Sequence, residues 1–175
     1  MTTNEPVTDG HTDARTEGRL THVRADGSAH MVDVSAKPVS TRTARASSTL
    51  LTRPEVVDQV FAGDTPKGDA VAVARVAGIM AAKKTPELVP LCHPLPLSKI
   101  TVDIEPGTAP GEISIVTEVR TKGVTGVEME ALTAASVTAL TLFDMIKALD
   151  KTAVITSTQV LAKAGGTSGD WEREA

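Results

Sequence analysis

From Val127 to Leu149 the chain reads VEMEALTAASVTALTLFDMIKAL, its longest helical pattern. Leu132, Ala135, Ala139, Leu142, Phe143, Ile146 and Leu149 fall on one apolar stripe at the helical period. A helix with one apolar side has to be laid against another layer, which leaves few architectures. The neighbouring segments say what that layer is. KITVDIEP puts Ile100, Val102 and Ile104 on one face at strand period, and GEISIVTEVRTKG does the same with Ile113, Ile115 and Thr117. PGTAPG between them is turn chemistry, so the two strands are expected to pair as an antiparallel hairpin. TAVITSTQVLAK, after the helix, reads as a further strand.

Upstream, VSTRTARASSTLL reads as a first strand. TRPEVVDQV then opens a helix, with Thr52 expected as its N-cap, Pro54 in the first turn, Glu55 at the third helical position and Gly63 at its end. KGDAVAVARVAGIMAAKK is a second helical stretch, with Val73, Ala77 and Met80 on one side and Val76 and Ile79 close by. Pro86 and Pro90 stop any continuation. The order strand, helices, strand, strand, helix, strand is that of an α+β, ferredoxin-like sandwich, an antiparallel sheet with helices packed on one face. Residues 1–19 are polar and too poor in apolar groups to fold, so a disordered tail is expected there and a single domain over 20–175.

Composition narrows the function. With two Phe, one Trp and no Tyr, the chain lacks stacking platforms for single-stranded nucleic acid. Its net charge of -4 and lack of a basic run argue further against a nucleic-acid partner. One cysteine points to a reducing compartment. The first 19 residues carry no signal-peptide core, and no run approaches the length of a membrane span, so a soluble, cytoplasmic protein without a membrane partner is expected.

LVPLCHPLPLSKI, Leu88 to Ile100, holds that cysteine beside a histidine. Structural zinc wants four ligands at short paired spacings, which Cys92 and His93 do not offer. A thiol nucleophile needs a base within reach, and adjacent residues on an extended segment point to opposite sides. Cys92 reads as a small buried hydrophobe. Pro90, Pro94 and Pro96 stiffen the backbone around His93, so the segment loses little entropy in presenting a side chain, as suits a binding wall.

Taken together, KGDAVAVARVAGIMAAKKTPELVPLCHPL, TGVEMEALTAASVTAL and FDMIK resemble the MoaC family of molybdenum cofactor biosynthesis, the cyclic pyranopterin monophosphate synthases. The opening LTHVRADGSAHMVDVSAK and the closing LAKAGGTSGD match too, so the resemblance spans roughly residues 20–170. Ile146 in FDMIK departs from relatives that often carry Cys there; it falls on the buried stripe, where no loss of chemistry is expected. The resemblance implies a ferredoxin-like fold and a hexamer of three dimers. It also implies a nucleotide-derived substrate, a cyclised dihydro-GTP rearranged with release of diphosphate, and no metal or organic cofactor.

Several residues carry both an ordinary reading and one implied by the resemblance. Asp144 and Lys147 lie one helical turn apart and could be an exposed ion pair; the FDMIK match makes them the general acid/base residues. Lys67, before an expected helix start, is a loop lysine or a phosphate ligand assisted by that helix end. Glu128 and Glu130 suit a helix N-terminus by charge alone. The resemblance adds recognition of the purine-like base by these carboxylates, by Met129, and by a wall of Leu91, Cys92 and His93. Lys163 joins as a substrate residue before the Gly-rich end. Glu130 and Asp144 are 14 positions apart, about 21 Å along one helix. A site using both is expected to draw on two chains, unless the helix begins after Glu130. A ferredoxin-like module that binds a ligand without turnover, and a metal-dependent hydrolase, remain competing readings.

Overall fold

The computed structural model describes residues 24, 26–167 and 169–174; the tail expected over 1–19 lies outside them. The chain divides into two units, Met1–Val32 and Asp33–Ala175. In the first, Asp26 closes a turn by accepting hydrogen bonds from the backbone N–H and hydroxyl of Ser28, at 2.9 and 2.6 Å. The second contains every element that follows.

Those elements are β1 (Ser40–Leu51), α1 (Pro54–Ala62), α2 (Ala70–Ala82), α3 (Thr85–Leu88), β2 (Leu97–Pro106), β3 (Glu112–Gly123), α4 (Glu128–Ile146), β4 (Val154–Ala164) and β5 (Trp171–Glu172). The sheet runs β2-β3-β1-β4-β5 with every pair antiparallel. The β2–β3 hairpin forms as expected, and β1 lies in the middle, in register with β3 from Ser40↔Gly123 to Leu51↔Glu112. This is the expected α+β, ferredoxin-like sandwich, with β5 added at one edge.

The core lies between the sheet and α1, α2 and α4. Leu50, Val102, Ile104, Ile113 and Ile115 point from the strands at Val56, Val60, Ala70, Leu142 and Ile146 of the helices. Each large side chain buried there contributes roughly 1.5–3 kcal/mol. Ile146 is fully buried, as its place on the stripe predicts. Polar groups at this seam find partners: Thr117 Oγ1 of β3 donates to the Ala131 carbonyl of α4 at 2.8 Å.

Three expectations need correction. Thr52 does not cap α1; Arg53 holds the N-cap position without a side-chain bond, and the Thr52 hydroxyl donates instead to Asp150 at 2.8 Å. α2 turns the other way. Its buried residues are Ala70, Ala74, Gly78, Ala81 and Ala82, whereas Val73, Val76 and Met80 are exposed. The cause is close contact between α2 and α4: a Cβ at Gly78 would run into Thr138 Oγ1 and crowd the Ala134 carbonyl, so only small residues fit. The Gly-rich end leads into β5. Finally, α4 is, among the described residues, long and apolar enough to cross a membrane, contrary to the sequence reading; half of that stretch is buried inside the fold.

Candidate active site

Two groups of candidate residues gather at opposite ends of α4. At its C-terminal end Asp144 stands in the last turn, where the helix dipole disfavours a carboxylate. Two cations offset this. Lys147, one turn on, approaches Asp144 Oδ1 to 2.7 Å, and Lys67 donates to Oδ2 at 2.6 Å. The Lys147 and Lys67 ammonium groups hold the Asp144 carboxyl at about 2, below the ordinary 3.8. All three side chains remain 41–52% exposed, so an incoming ligand can reach the whole cluster.

Lys67 arrives there from the α1–α2 loop, in a tight turn closed by the Gly68 N–H on the Thr65 carbonyl at 3.0 Å. The helix end expected beside it follows closely. α2 starts at Ala70, and its N-cap Asp69 already accepts from the Ala72 N–H at 2.9 Å. That carboxylate satisfies one of the free N–H groups at this helix end.

At the other end, Glu128, Met129 and Glu130 form the first turn of α4. The helix therefore does not begin after Glu130, and the single-chain fold-back is excluded. Glu130 is only 3% exposed; burial, and the Glu128 charge beside it, push its carboxyl up, partly opposed by a hydrogen bond from its own backbone N–H. Met129 is exposed. Gly126 makes room for Glu128, since a Cβ there would collide with its carboxylate. Glu128 in turn lies 3.5 Å from Lys163 at the end of β4.

The Leu91–Cys92–His93 wall joins this second group. It is pinned by the Cys92 N–H on the Val89 carbonyl at 3.0 Å and by Thr121 Oγ1 on the Pro96 carbonyl at 2.8 Å. Leu95 and Leu97 pack against the apolar cluster that includes Val127 and Ala131 at the start of α4. Burial, then the charge of Glu130, raise the Cys92 thiol above its ordinary value. A thiol raised in this way is a weaker nucleophile, which suits a packing role. His93 is half-buried.

Reading the sequence missed two cations. Lys37 and Arg42 join Thr125, Glu128, Lys163 and Gly165 around a cavity of about 170 Å³ at the N-terminal end of α4. Three cations against one carboxylate make this cavity electropositive. Arg42 is 9% exposed, its Nε donating to the Gly123 carbonyl at 3.1 Å. Gly166, at φ 85°, lies against the Arg42 guanidinium so closely that a Cβ would strike it. The available signal was Arg42 itself, a charge at a core-facing position of β1 in phase with Ala44, Ala46 and Leu50. Lys163 also borders a cleft of about 390 Å³ with Arg45 and Trp171.

Comparison with known proteins bears on the whole arrangement. The model of the MoaC family matches residues 31–166. A cyclic pyranopterin monophosphate synthase of Corynebacterium efficiens is 66% identical over 152 residues, 87% of this chain and 97% of the relative. Proteins of the same name from Streptomyces griseus and Methylobacterium nodulans are 55% and 54% identical, over 91% and 89% of this chain and 89% and 97% of theirs. With the family's match spanning both ends of α4 and the wall between Pro90 and Pro94, this chain belongs to the MoaC family.

Proposed function

We propose that this chain converts (8S)-3',8-cyclo-7,8-dihydroguanosine 5'-triphosphate into cyclic pyranopterin monophosphate and diphosphate, the lyase step in molybdenum cofactor biosynthesis for which its relatives are named. A cyclic monophosphate forms when a hydroxyl of the same molecule attacks the α-phosphorus and diphosphate departs. The hydroxyl must lose a proton, the leaving group gathers charge, and the ring rearrangement moves further protons. Asp144 clasped between Lys67 and Lys147 carries the reading, because it puts a base and two acids within one site. A triphosphate competes for those ammonium groups. As they turn towards phosphate, Asp144 loses what holds its proton affinity down and becomes the better base.

Recognition falls to the other end. Buried Glu130, Glu128, Met129, Leu91, Cys92 and His93 receive the base, which offers N–H donors to carboxylates. Lys163, with Lys37 and Arg42 around the neighbouring cavity, takes phosphate oxygens.

The ends lie about 21 Å apart on one helix, beyond the reach of one nucleotide held by short side chains. Two chains meeting across a two-fold axis remove that difficulty. The exposed apolar residues Val73, Val76 and Met80 of α2 and Leu140 of α4 give the helix layer a face fit for such pairing. Antiparallel docking of two such faces sets the Asp144 end of one chain beside the Glu130 end of the other, twice per dimer. Three dimers then build a hexamer, active in the cytoplasm.

The deciding experiment is turnover: the cyclised dihydro-GTP is supplied, and diphosphate and pyranopterin product are measured, with and without chelator. Product in both arms is expected. Binding without product would replace this reading by a ligand-sensing module, and loss on chelation by a metal-dependent hydrolase.

A further inference from the structure

Lys147 holds the C-cap position of α4, just past the last helical residue, Ile146. Helix ends fray, so an ammonium group carried there is only as well placed as the turn that follows it. That turn runs to Asp150, with the Leu149 and Asp150 N–H groups both on the Ile146 carbonyl, at 2.7 and 3.0 Å. Asp150 is only 6% exposed, and its carboxylate is surrounded by donors. Oδ1 accepts from the N–H and the hydroxyl of Thr152 at 2.8 and 2.7 Å, and Oδ2 from the Thr52 hydroxyl at 2.8 Å. These bonds, with a further one from the Arg53 N–H, offset the cost of burying the charge and hold the carboxyl at about 2, below the ordinary 3.8.

Thr152 alone would close the local turn. The bonds to Thr52 and Arg53 do something else, because they reach to the junction of β1 and α1, more than 90 positions back in the chain. Arg53 completes the clasp from its own side, Nη2 donating to the Leu149 carbonyl at 2.9 Å. The junction is itself a firm anchor. The Thr52 N–H donates to the Gly111 carbonyl at 2.7 Å, and Gly111, at φ 81°, lies so close that a Cβ there would strike the Thr52 carbonyl.

We infer that Asp150 is a positioning residue: by tying the turn after α4 to the β1–α1 junction, it holds Lys147 against Asp144. The inference rests on the roles proposed above for Asp144 and Lys147. Lys67 is placed independently, in the turn closed by the Gly68 N–H on the Thr65 carbonyl. Of the two ammonium groups, Lys147 contributes more to lowering the Asp144 carboxyl, so its displacement is what Asp144 would register most.

The test uses Asp150→Asn in the full chain, which nearly keeps the shape but leaves one acceptor oxygen for four donors. Asp144 is followed by carbon-13 NMR of the aspartate carboxyl groups, its signal assigned by its absence from Asp144→Asn protein. In wild type it should titrate at about 2, and in Asp150→Asn its midpoint should rise towards 3.8. The bare charge effect has the opposite sign, since removing a neighbouring carboxylate lowers the midpoint; a rise therefore reports the displaced ammonium group. The rise should vanish in a Lys147→Ala background and persist in Lys67→Ala. In turnover, kcat should fall about 10- to 100-fold, the cost of a misplaced group, with KM within about two-fold. Should Asp150→Asn fail to fold, as read by far-ultraviolet dichroism, Arg53→Gln takes its place, removing the bond to Leu149 from an exposed side chain, and a rise of the same sign is required. A midpoint that stays or falls, a rise that persists without Lys147, or an active enzyme with unchanged kcat would overturn the inference. A wild type without turnover refutes the proposed function instead, and the titration still decides whether Asp150 places Lys147.

Discussion

At the C-terminal end of α4, Asp144 is half exposed, clasped by two ammonium groups and ionised down to about pH 2. At the N-terminal end, Glu130 is almost wholly buried, and burial drives its carboxyl the other way. One helix thus presents an open carboxylate with a lowered pKa at one end and a buried carboxylate with a raised pKa at the other. Open ionised groups can exchange protons and yield to an anionic substrate. A dry pocket strengthens each hydrogen bond made within it, which suits discrimination of a base. On the function proposed above, this difference divides chemistry from recognition, and the length of α4 assigns them to different chains.

The strongest way to break this division is Asp144→Asn. If the open end does the chemistry, kcat should fall on the order of 10²- to 10⁴-fold, the usual share of a positioned acid or base. Folding should be retained, with Tm within a few degrees, because the side chain is half exposed. Turnover near that of wild type would remove Asp144 from the mechanism. The division between chains is tested by mixing Glu130→Ala with Asp144→Asn protein under subunit exchange. Half of the dimers formed are mixed and hold one intact site of two, so recovery to about a quarter of wild-type activity is expected. No recovery, with exchange confirmed by mass, would put the whole site in one chain.

Within the dry end, the wall separates further. Burial and the Glu130 charge raise the Cys92 thiol, so Cys92→Ala should keep activity within roughly ten-fold, through loosened packing alone. His93→Ala should cost more than that, with KM and kcat both affected if the imidazole touches substrate. The opposite ranking would restore the thiol as a chemical participant.

Much of this architecture was legible because periodicity is a local property. β1, β2, β3, β4 and α4 follow from alternation or from the helical stripe, and the hairpin from its turn. α2 was legible as a helix but not in its facing, because it is apolar on all sides. Which side turns inward was decided by Gly78 meeting Thr138 and Ala134, a fit between helices distant in sequence. β5 was not legible either. Two residues of strand have no period, and they are held by remote bonds, the Arg173 N–H to the Leu161 carbonyl at 2.8 Å and the Asp170 carboxylate accepting from Gly165 at 2.9 Å. The site followed the same rule. FDMIK and LCHPL are continuous strings, whereas the cavity with Lys37, Arg42 and Lys163 is assembled from three separated segments.

That fit between α2 and α4 has its own test, since both ends depend on the helices holding their spacing. Gly78→Ala adds a methyl group against Thr138 Oγ1 and the Ala134 carbonyl, with no flexible side-chain end able to yield. Overpacking of this kind costs about 1–3 kcal/mol. In a chain of this size it should lower Tm by roughly 2–12 °C, read by thermal unfolding. Relief is expected in the double variant with Thr138→Ala, which removes the hydroxyl oxygen that the new methyl group strikes. No fall in Tm would mean that the helices are not in close contact at Gly78.

The finest test of the contrast uses only the sign of a pH dependence. Asp144 has a folded-state value of about 2 against an ordinary 3.8, so what it adds to stability is present above pH 3.8 and lost as pH falls through about 2. Glu130 has a raised value, so its contribution is present below the ordinary 4.5 and lost as pH rises through the folded value, beyond which the protein carries a buried charge. Replacing each carboxyl by its amide removes the titration and nearly keeps the shape. The difference in Tm between wild type and Asp144→Asn should favour wild type at neutral pH and narrow in acid. The difference between wild type and Glu130→Gln should be small below pH 4.5 and then open in favour of the variant as pH rises. A Glu130→Gln protein less stable than wild type by a margin that grows with pH would show that the carboxylate is welcome as a charge at that end. The two ends of α4 would then be alike, and the separation of recognition from proton transfer would lose its physical basis.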